Sequence, residues 1–408
     1  MAQCFNGARN IPVLLPLGQF GTHYKGGKDA GSPRYIDTKL NKEVTDLLYP
    51  SKDMDILEYT LIDGEYGEPK YFIPILPTAL LEDVLLPATG WKIEMWARDF
   101  NQVYNNTLSL INGQPIQKMS YFMNKFKGSY VSTDNGDYLI GSYTVRTDDK
   151  SEYVTITSLP PRVWVDNVVE YLQELPYTTR VRNSSTIDSV NIEVKMTTGS
   201  LENIRSVESD IDAVVKAFKI YTKVNHCINV YSEDDTVLEY NNYEDILIKW
   251  FAIRKKCYET RIEREIIILE YKLIIGENYI RFIDNHVNHG LSSMTTRQTI
   301  AALESLGYAK LNKNVIDNAG RIPNDELPSE IKKGASFDYL LNLSYKQLNV
   351  DHKDRLVKRI NEIKEELAIL KEPDSYKKIW TSELAALKPV LENGFSNGFY
   401  KEDDSLFH

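Results

Sequence analysis

Tyr35 is the residue whose immediate neighbours suggest chemistry. Arg34 stands beside it in Ser-Pro-Arg-Tyr, and Lys25 and Lys28 bracket the Gly26-Gly27 pair a few positions upstream. A phenol with a pKa of about 10 is a poor nucleophile near neutrality unless something stabilises its anion. Cations gathered around it do so and also attract a phosphodiester, so the chemistry on offer is attack of a tyrosinate on phosphorus. The charge is local. Residues 1 to 40 hold five Lys or Arg (Arg9, Lys25, Lys28, Arg34, Lys39) and two acids (Asp29, Asp37), a net of +3, so the other 368 residues carry −13 of a total of −10.

Two other readings compete for the same stretch. The chain has 26 tyrosines, and most tyrosines serve packing or the surface. Gly27-Lys28 matches the end of a GxxxxGK[ST] phosphate loop, but Thr22 stands where the first glycine belongs and Asp29 follows the lysine.

The elements that must position Tyr35 come next. Gly18, Gly21, Gly26 and Gly27 fall within ten positions, which suits a loop that approaches another molecule closely. Ile36, Leu40, Val44, Leu47 and Leu48 recur at helical spacing, with Pro50 ending the run, so residues 34–49 are expected to form a helix with Tyr35 at its start. Its N-terminus would further stabilise a phosphate.

At 408 residues and 42% hydrophobic content, the chain is long enough for two or three domains. Cys4, Cys227 and Cys257 are far apart, odd in number and without metal-ligand spacing, which points to a reducing compartment. No run of 18 apolar residues and no apolar signal core is visible, so neither membrane insertion nor secretion is expected. A pI near 5.3 argues against nucleic acid, and only the basic N-terminal stretch restores that partner.

Beyond Tyr35 the pattern alternates and then turns helical. Two-residue alternation at Val154 and Ile156, and at Val190, Ile192, Val194 and Met196, predicts half-buried sheets. A proline-free run from Tyr243 to at least Phe282 carries Leu247, Phe251, Tyr258, Ile262, Ile266, Leu269 and Leu273 as one seam. Leu356, Ile360, Ile363, Leu367 and Leu370 answer it at heptad spacing. Two helices running out and back would carry a small helical head, and 40 helical residues span about 60 Å. The expected class is α+β and multi-domain, with no internal repeats.

The segment Ala2 to Tyr35, AQCFNGARNIPVLLPLGQFGTHYKGGKDAGSPRY, resembles the catalytic-tyrosine region of type IIA DNA topoisomerases of the eukaryotic and large-DNA-virus kind, with His23 for the usual Arg, Gly31 for Ala and Pro33 before Arg34. The register continues through Glu68-Pro69, Tyr71 to Pro77, Thr89-Gly90-Trp91, Pro161, Arg162 and Trp164, and the GASFDYLLNLS stretch. The family's Gly-Ile-Gly turn before Thr89 is missing.

The resemblance implies part of a winged-helix domain over residues 1–83, a mixed α/β tower over 84–242, and a long antiparallel coiled coil with an exit-gate head over 243–408. The first half of the winged helix would come from elsewhere. It implies Tyr35 as nucleophile, Arg34 as its electrostatic partner, and Gln19, His23, Lys25 and Lys28 as contacts to double-stranded DNA. Met95, four residues beyond Trp91, would be an apolar wedge that bends the duplex. It further implies a homodimer closed by residues 285 to 345. Mg2+ and ATP would bind outside this chain, in upstream domains or on a separate polypeptide, with no metal site of its own. Location would be the nucleus, or a viral replication site. A non-catalytic DNA clamp of the same architecture is the alternative, and a tyrosine recombinase is weaker because no matching Arg and His set accompanies Tyr35.

Overall fold

The computed structural model describes residues 1–285, 294–344 and 350–399. The fold mixes α and β and divides into two compact units. Residues 1–48, 74–251 and the described part of 383–408 form the first; residues 49–73 and the described parts of 252–382 form the second. This division cuts across the sequence segments 1–83, 84–242 and 243–408, because 49–73 pack with the helical third of the chain.

In the first unit, alternation becomes a four-stranded antiparallel sheet in the order Thr178–Asn183, Ile192–Met196, Ser151–Ser158, Ser142–Asp148. Val154, Ile156, Ile192, Val194 and Met196 are fully buried on one face, against Val165, Val168 and Leu172 of the helix Val165–Gln173 and Val214 and Val215 of Ala213–Ala217. The shorter helix starts where Asp212 accepts from Val214 N and Val215 N at 2.9 and 3.0 Å. A three-stranded sheet, Tyr221–Val224, Gly136–Ile140 and Ser129–Thr133, packs Leu139 and Val224 with Trp96.

The helix expected over residues 34–49 is not continuous. Pro33–Tyr35 form one 3-10 turn, Ile36 is extended (φ −128°), and Asp37–Leu40 pair antiparallel with Leu14–Leu17. The α-helix proper is Lys42–Leu48. Asn41 breaks the pattern: its carbonyl accepts from Val44 N and Thr45 N, while its side-chain amide donates to Pro12 O at 2.9 Å. Tertiary pairing overrides the four-residue spacing of Ile36 and Leu40, and Leu40 is left half exposed.

The second unit is dominated by an antiparallel helix pair. Tyr243–Asn285 is one helix of 43 residues, of which 252–285 belong to this unit, and it is answered by Val350–Leu370. Lys371–Glu270, Lys364–Glu277 and Lys353–Asp284 bridge the two, descending along one helix as they ascend the other. Ile360, Ile363, Leu367 and Leu370 are buried as their heptad spacing predicts. At Gly276 a Cβ would meet Ile360 Cγ1 at 2.9 Å, so the glycine lets the helices close. The head gathers Leu303, Ile316, Leu327, Ile331 and Leu340 around Ile275 and Phe282 of the long helix. Its first helix, Thr296–Ser305, opens on a Thr295/Gln298 capping box. Residues 286–293 and 345 of the expected gate lie outside the described residues.

Residues 49–73 are held here by buried charge. Asp53 accepts from Arg254 Nη1 at 2.6 Å and Arg261 Nη1 at 2.9 Å, all three nearly inaccessible. The Arg254 and Arg261 guanidinium groups lie 4.1 and 4.6 Å from the Tyr258 ring, which packs on Trp380 at 5.0 Å. Replacing Asp53 by Ala would leave two buried cations without their carboxylate, a loss of about 3–5 kcal/mol. Urea denaturation of Asp53→Ala against the parent chain checks this, and a change below about 1 kcal/mol would contradict it.

Candidate active site

Tyr35 closes the 3-10 turn Pro33–Tyr35, its N–H donating to Ser32 O at 2.8 Å. Pro33 fixes its own φ and keeps Ser32 extended (φ −59°, ψ 137°), so the turn is rigid before any ligand arrives. The Tyr35 side chain is 73% exposed, and the Arg34 guanidinium lies 4.9 Å from its ring centroid. The turn is tied back where Gly31 N donates to Gln19 O at 2.8 Å and where Ile36 packs into the space left by Gly18 and Gly31.

The other glycines serve this packing and not a close approach to an outside molecule. A Cβ on Gly21 would stand 2.4 Å from Gly27 Cα, and one on Gly27 would stand 2.3 Å from Gln3 Nε2. A Cβ on Gly26 would stand 2.3 Å from Cε2 of Trp164, and Gly26 has φ +60°. The loop thus lies flat on the Trp164 indole. It also caps the following helix, because Val165 N and Asp166 N donate to the carbonyls of His23 and Tyr24 at 3.4 and 3.1 Å. The sequence marks Trp164 only as a match to the family pattern and Asp29 only as a break in a phosphate-loop motif, not as the supports of this loop. Asp29 accepts from Thr22 N at 2.9 Å and Thr22 Oγ1 at 2.6 Å, a staple across the loop. Burial pushes its pKa up, but the Thr22 hydrogen bonds, its own backbone amide and Lys25 outweigh this and hold the carboxyl below its ordinary value. The Thr22 and Asp29 that spoil a phosphate-loop motif are partners of each other.

Gln19, Lys25, Lys28 and Arg34 are exposed alongside Tyr35, and no ion pair among the described residues occupies Lys25, Lys28 or Arg34. His23 does not join them. Its ring is 6% exposed and packs on Tyr24 at 4.9 Å, and burial lowers its pKa. Nε2 has no hydrogen-bond partner among the described residues and lines a cavity of about 40 Å³ with Lys125, Lys127, Ser158 and Asp188. A side chain so enclosed does not reach a duplex.

Met95 is likewise corrected. It ends the strand Trp91–Met95, pairs with Val84 and is 2% exposed, so it belongs to the core and presents no wedge. The apolar groups this hairpin does expose are Leu85, Leu86 and Trp91. Glu94 beside Met95 is buried and binds Arg162 Nη1 at 2.8 Å and Lys92 Nζ at 2.5 Å. Glu82, pushed up to about 7 mainly by burial, accepts from Asn10 N and Ile11 N at 3.0 and 2.7 Å, anchoring the strand that enters the loop.

The residues around Tyr35 do not fit a magnesium site. Asp29 is spent on Thr22, Asp37 lies alone on an exposed strand, and no cluster of three His, Cys, Asp or Glu occurs among the described residues.

The sequence and fold agree with known proteins of one kind. The chain is 26% identical over 425 residues to DNA topoisomerase 2 of African swine fever virus, covering 97% of this chain and 35% of that protein. It is 29% identical over 415 residues to DNA topoisomerase 2-alpha of Cricetulus griseus, covering 96% of this chain and 26% of that protein. The Plasmodium falciparum topoisomerase II DNA-binding, cleavage and re-ligation domain superposes with a TM-score of 0.78 at 26% identity, covering 97% of this chain and 54% of that one. The fold and the sequence together define a region homologous to the DNA breakage-rejoining part of type II topoisomerases. Residues 1–385 match the A-subunit family of DNA gyrase/topoisomerase IV, and the chain belongs to that family. It spans about a third of the length of the viral relative and about a quarter of that of the hamster one.

Because Gly26 has no room above it, Gly26→Ala would drive a methyl group into the indole at a φ that alanine disfavours. The expected cost is about 1–3 kcal/mol in urea denaturation. An unchanged midpoint would mean that the loop does not depend on Trp164.

Proposed function

We propose that Tyr35 is the nucleophile of a transient DNA break. The phenolate oxygen bonds to a backbone phosphorus, the bond to the 3′ oxygen breaks, the phenolic proton passes to water and the released 3′ oxygen takes one up. The strand is held as a 5′-phosphotyrosine. Its bond energy is kept, so the reverse step reseals the strand without a new energy source. The observation that carries the reading is the 73% exposure of Tyr35 on a proline-fixed turn with the Arg34 guanidinium 4.9 Å from its ring. Arg34 is near enough to stabilise charge on the non-bridging oxygens. Lys25, Lys28 and Gln19 hold the neighbouring backbone without sequence preference.

On this reading, residues 1–83 form the tyrosine-bearing part of a winged-helix domain, 84–242 the tower and 243–408 an antiparallel coiled coil with an exit gate. The gate makes the chain a homodimer, and the exposed Met294, Ile300 and Leu306 of the head are apolar groups it could cover. Magnesium and ATP belong to domains outside this chain, so the chain alone does not complete the cycle of duplex passage. Its place of action is the nucleus or a viral replication site.

The test combines this chain with a polypeptide carrying the metal-binding domain, magnesium and nicked duplex, followed by denaturant trapping. Tyr35→Phe is expected to abolish the adduct, and Arg34→Gln to slow its formation by about 10²–10³, as loss of one charge-stabilising donor does. An adduct that survives in Tyr35→Phe would overturn the assignment, and none with any complementing partner would favour the non-catalytic clamp.

A further inference from the structure

We propose that the hairpin of residues 59–69 is a docking finger for another polypeptide, one that presents apolar side chains flanked by lysine or arginine. In the second unit, strands Tyr59–Ile62 and Glu65–Pro69 pair antiparallel, with Leu61 opposite Tyr66 and Ile62 opposite Glu65. Among the described residues they join no further strand. The connection Asp63-Gly64 has φ +52° and +85°, the positive pair that a type I′ turn requires and that matches the twist of the strands. At Gly67 a Cβ would stand 2.8 Å from Thr60 Oγ1 and 3.0 Å from Ile62 Cδ1, so the glycine lets the strands close where Thr60 Oγ1 donates to Glu68 O at 3.0 Å.

The root of the hairpin is fixed. Tyr59 OH donates to Met54 O at 2.8 Å, Lys70 N donates to Glu58 O at 2.9 Å, and the Arg321 guanidinium lies 3.7 Å from the Tyr59 ring and 5.3 Å from the Tyr66 ring. Beyond that clamp the end stands in solvent: Leu61 is 67% exposed, Ile62 62% and Tyr66 58%. Opposite residues of a strand pair share a face and successive residues alternate, so Leu61 and Tyr66 lie on one face and Ile62 on the other. A two-stranded ribbon that shows apolar groups on both faces gains little from them in folding, and burying them takes a partner.

Charge selects that partner. Glu58, Asp63, Glu65 and Glu68 stand in a stretch, 58–68, that holds no Lys or Arg. Glu58 pairs with Lys70 at 3.0 Å, whereas Asp63, Glu65 and Glu68 form no ion pair among the described residues. Three such carboxylates around three apolar groups repel DNA phosphates, an anionic lipid surface and a second acidic tip alike. They attract Lys and Arg, which at the rim of an interface steer a partner on and fix its register while the apolar centre is buried. The same charges keep the exposed strand edges from pairing with one another when no partner is bound.

The test is fluorescence anisotropy of a labelled amphipathic peptide of Leu and Lys titrated with the full chain, with a peptide of Leu and Glu as counterpart. The parent is expected to bind the Lys peptide saturably and not the Glu peptide. Leu61→Ser/Ile62→Ser should weaken binding by about tenfold or more, with the melting temperature held because both positions are exposed. Asp63→Asn/Glu65→Gln/Glu68→Gln, which leaves an Asn-Gly turn, should weaken it as much and flatten its salt dependence. Asp149→Asn/Glu174→Gln/Glu208→Gln removes three exposed acids elsewhere and should bind as the parent does. Equal affinity in the parent and either hairpin variant, or equal loss in this control, would overturn the inference. So would a Lys peptide that fails to bind the parent, or a loss of duplex binding in Leu61→Ser/Ile62→Ser. A fall in the sedimentation mass of the chain alone in that variant would also overturn it, by giving the hairpin to a second copy.

Discussion

The indole of Trp164 against the backbone of Gly26 is the contact on which the tyrosine's presentation depends. A loop of twenty residues with one exposed phenol has no reason of its own to hold a shape. This one is pressed on an aromatic plate, stapled across by Asp29 and Thr22, and joined through the His23 and Tyr24 carbonyls to the first amides of the helix Val165–Gln173. The chain then leaves the loop through a proline-fixed turn, and the strand pair Leu14–Leu17 with Asp37–Leu40 closes its base. The exposure of Tyr35 is thus a result of order elsewhere: the loop's backbone is held from within the protein, and the phenol faces solvent.

Charge is divided along similar lines. Where ions are buried, as at Asp53 with Arg254 and Arg261, or Glu94 with Arg162, they tie distant parts of the sequence together. Breaking one such pair is costly because the remaining charge is stranded. Where cations are exposed with no ion pair among the described residues, as at Lys25, Lys28 and Arg34 around Tyr35, they lie on a chain that is otherwise acidic. Such separation confines anion binding to chosen faces, while the acidic remainder disfavours indiscriminate attachment to nucleic acid.

What could be read from the sequence followed from local periodicity. The alternation at Val154 to Ile156 and Ile192 to Met196 needed no knowledge of partners and reappears as a buried face; of the two helical runs, Leu247, Tyr258, Ile262, Leu269, Ile360, Ile363, Leu367 and Leu370 are buried, while Phe251, Ile266, Leu273 and Leu356 are half-buried. Features set by tertiary contact were misread. Ile36 and Leu40 fit a helix until Leu14–Leu17 supplies a strand to pair with. Gly26 and Gly27 looked like room for a ligand because nothing in the sequence says that Trp164, more than a hundred positions away, fills that room. His23 and Met95 occupy positions of the family pattern, yet each is enclosed by neighbours remote in sequence. Residues 49–73 join the helical unit through Asp53, whose arginine partners lie some two hundred residues on.

The proposed activity comes down to covalent chemistry at one oxygen. Its most direct measurement is mass spectrometry of the protein trapped on nicked duplex in the presence of the metal-binding domain and magnesium, digested to peptides and mapped for a nucleotide adduct. A 5′-phosphate ester is expected on the peptide that contains Pro33, Arg34 and Tyr35, with fragment ions assigning it to the phenol. A nucleotide found on any other residue, under conditions where the Tyr35 peptide is seen unmodified, would contradict it.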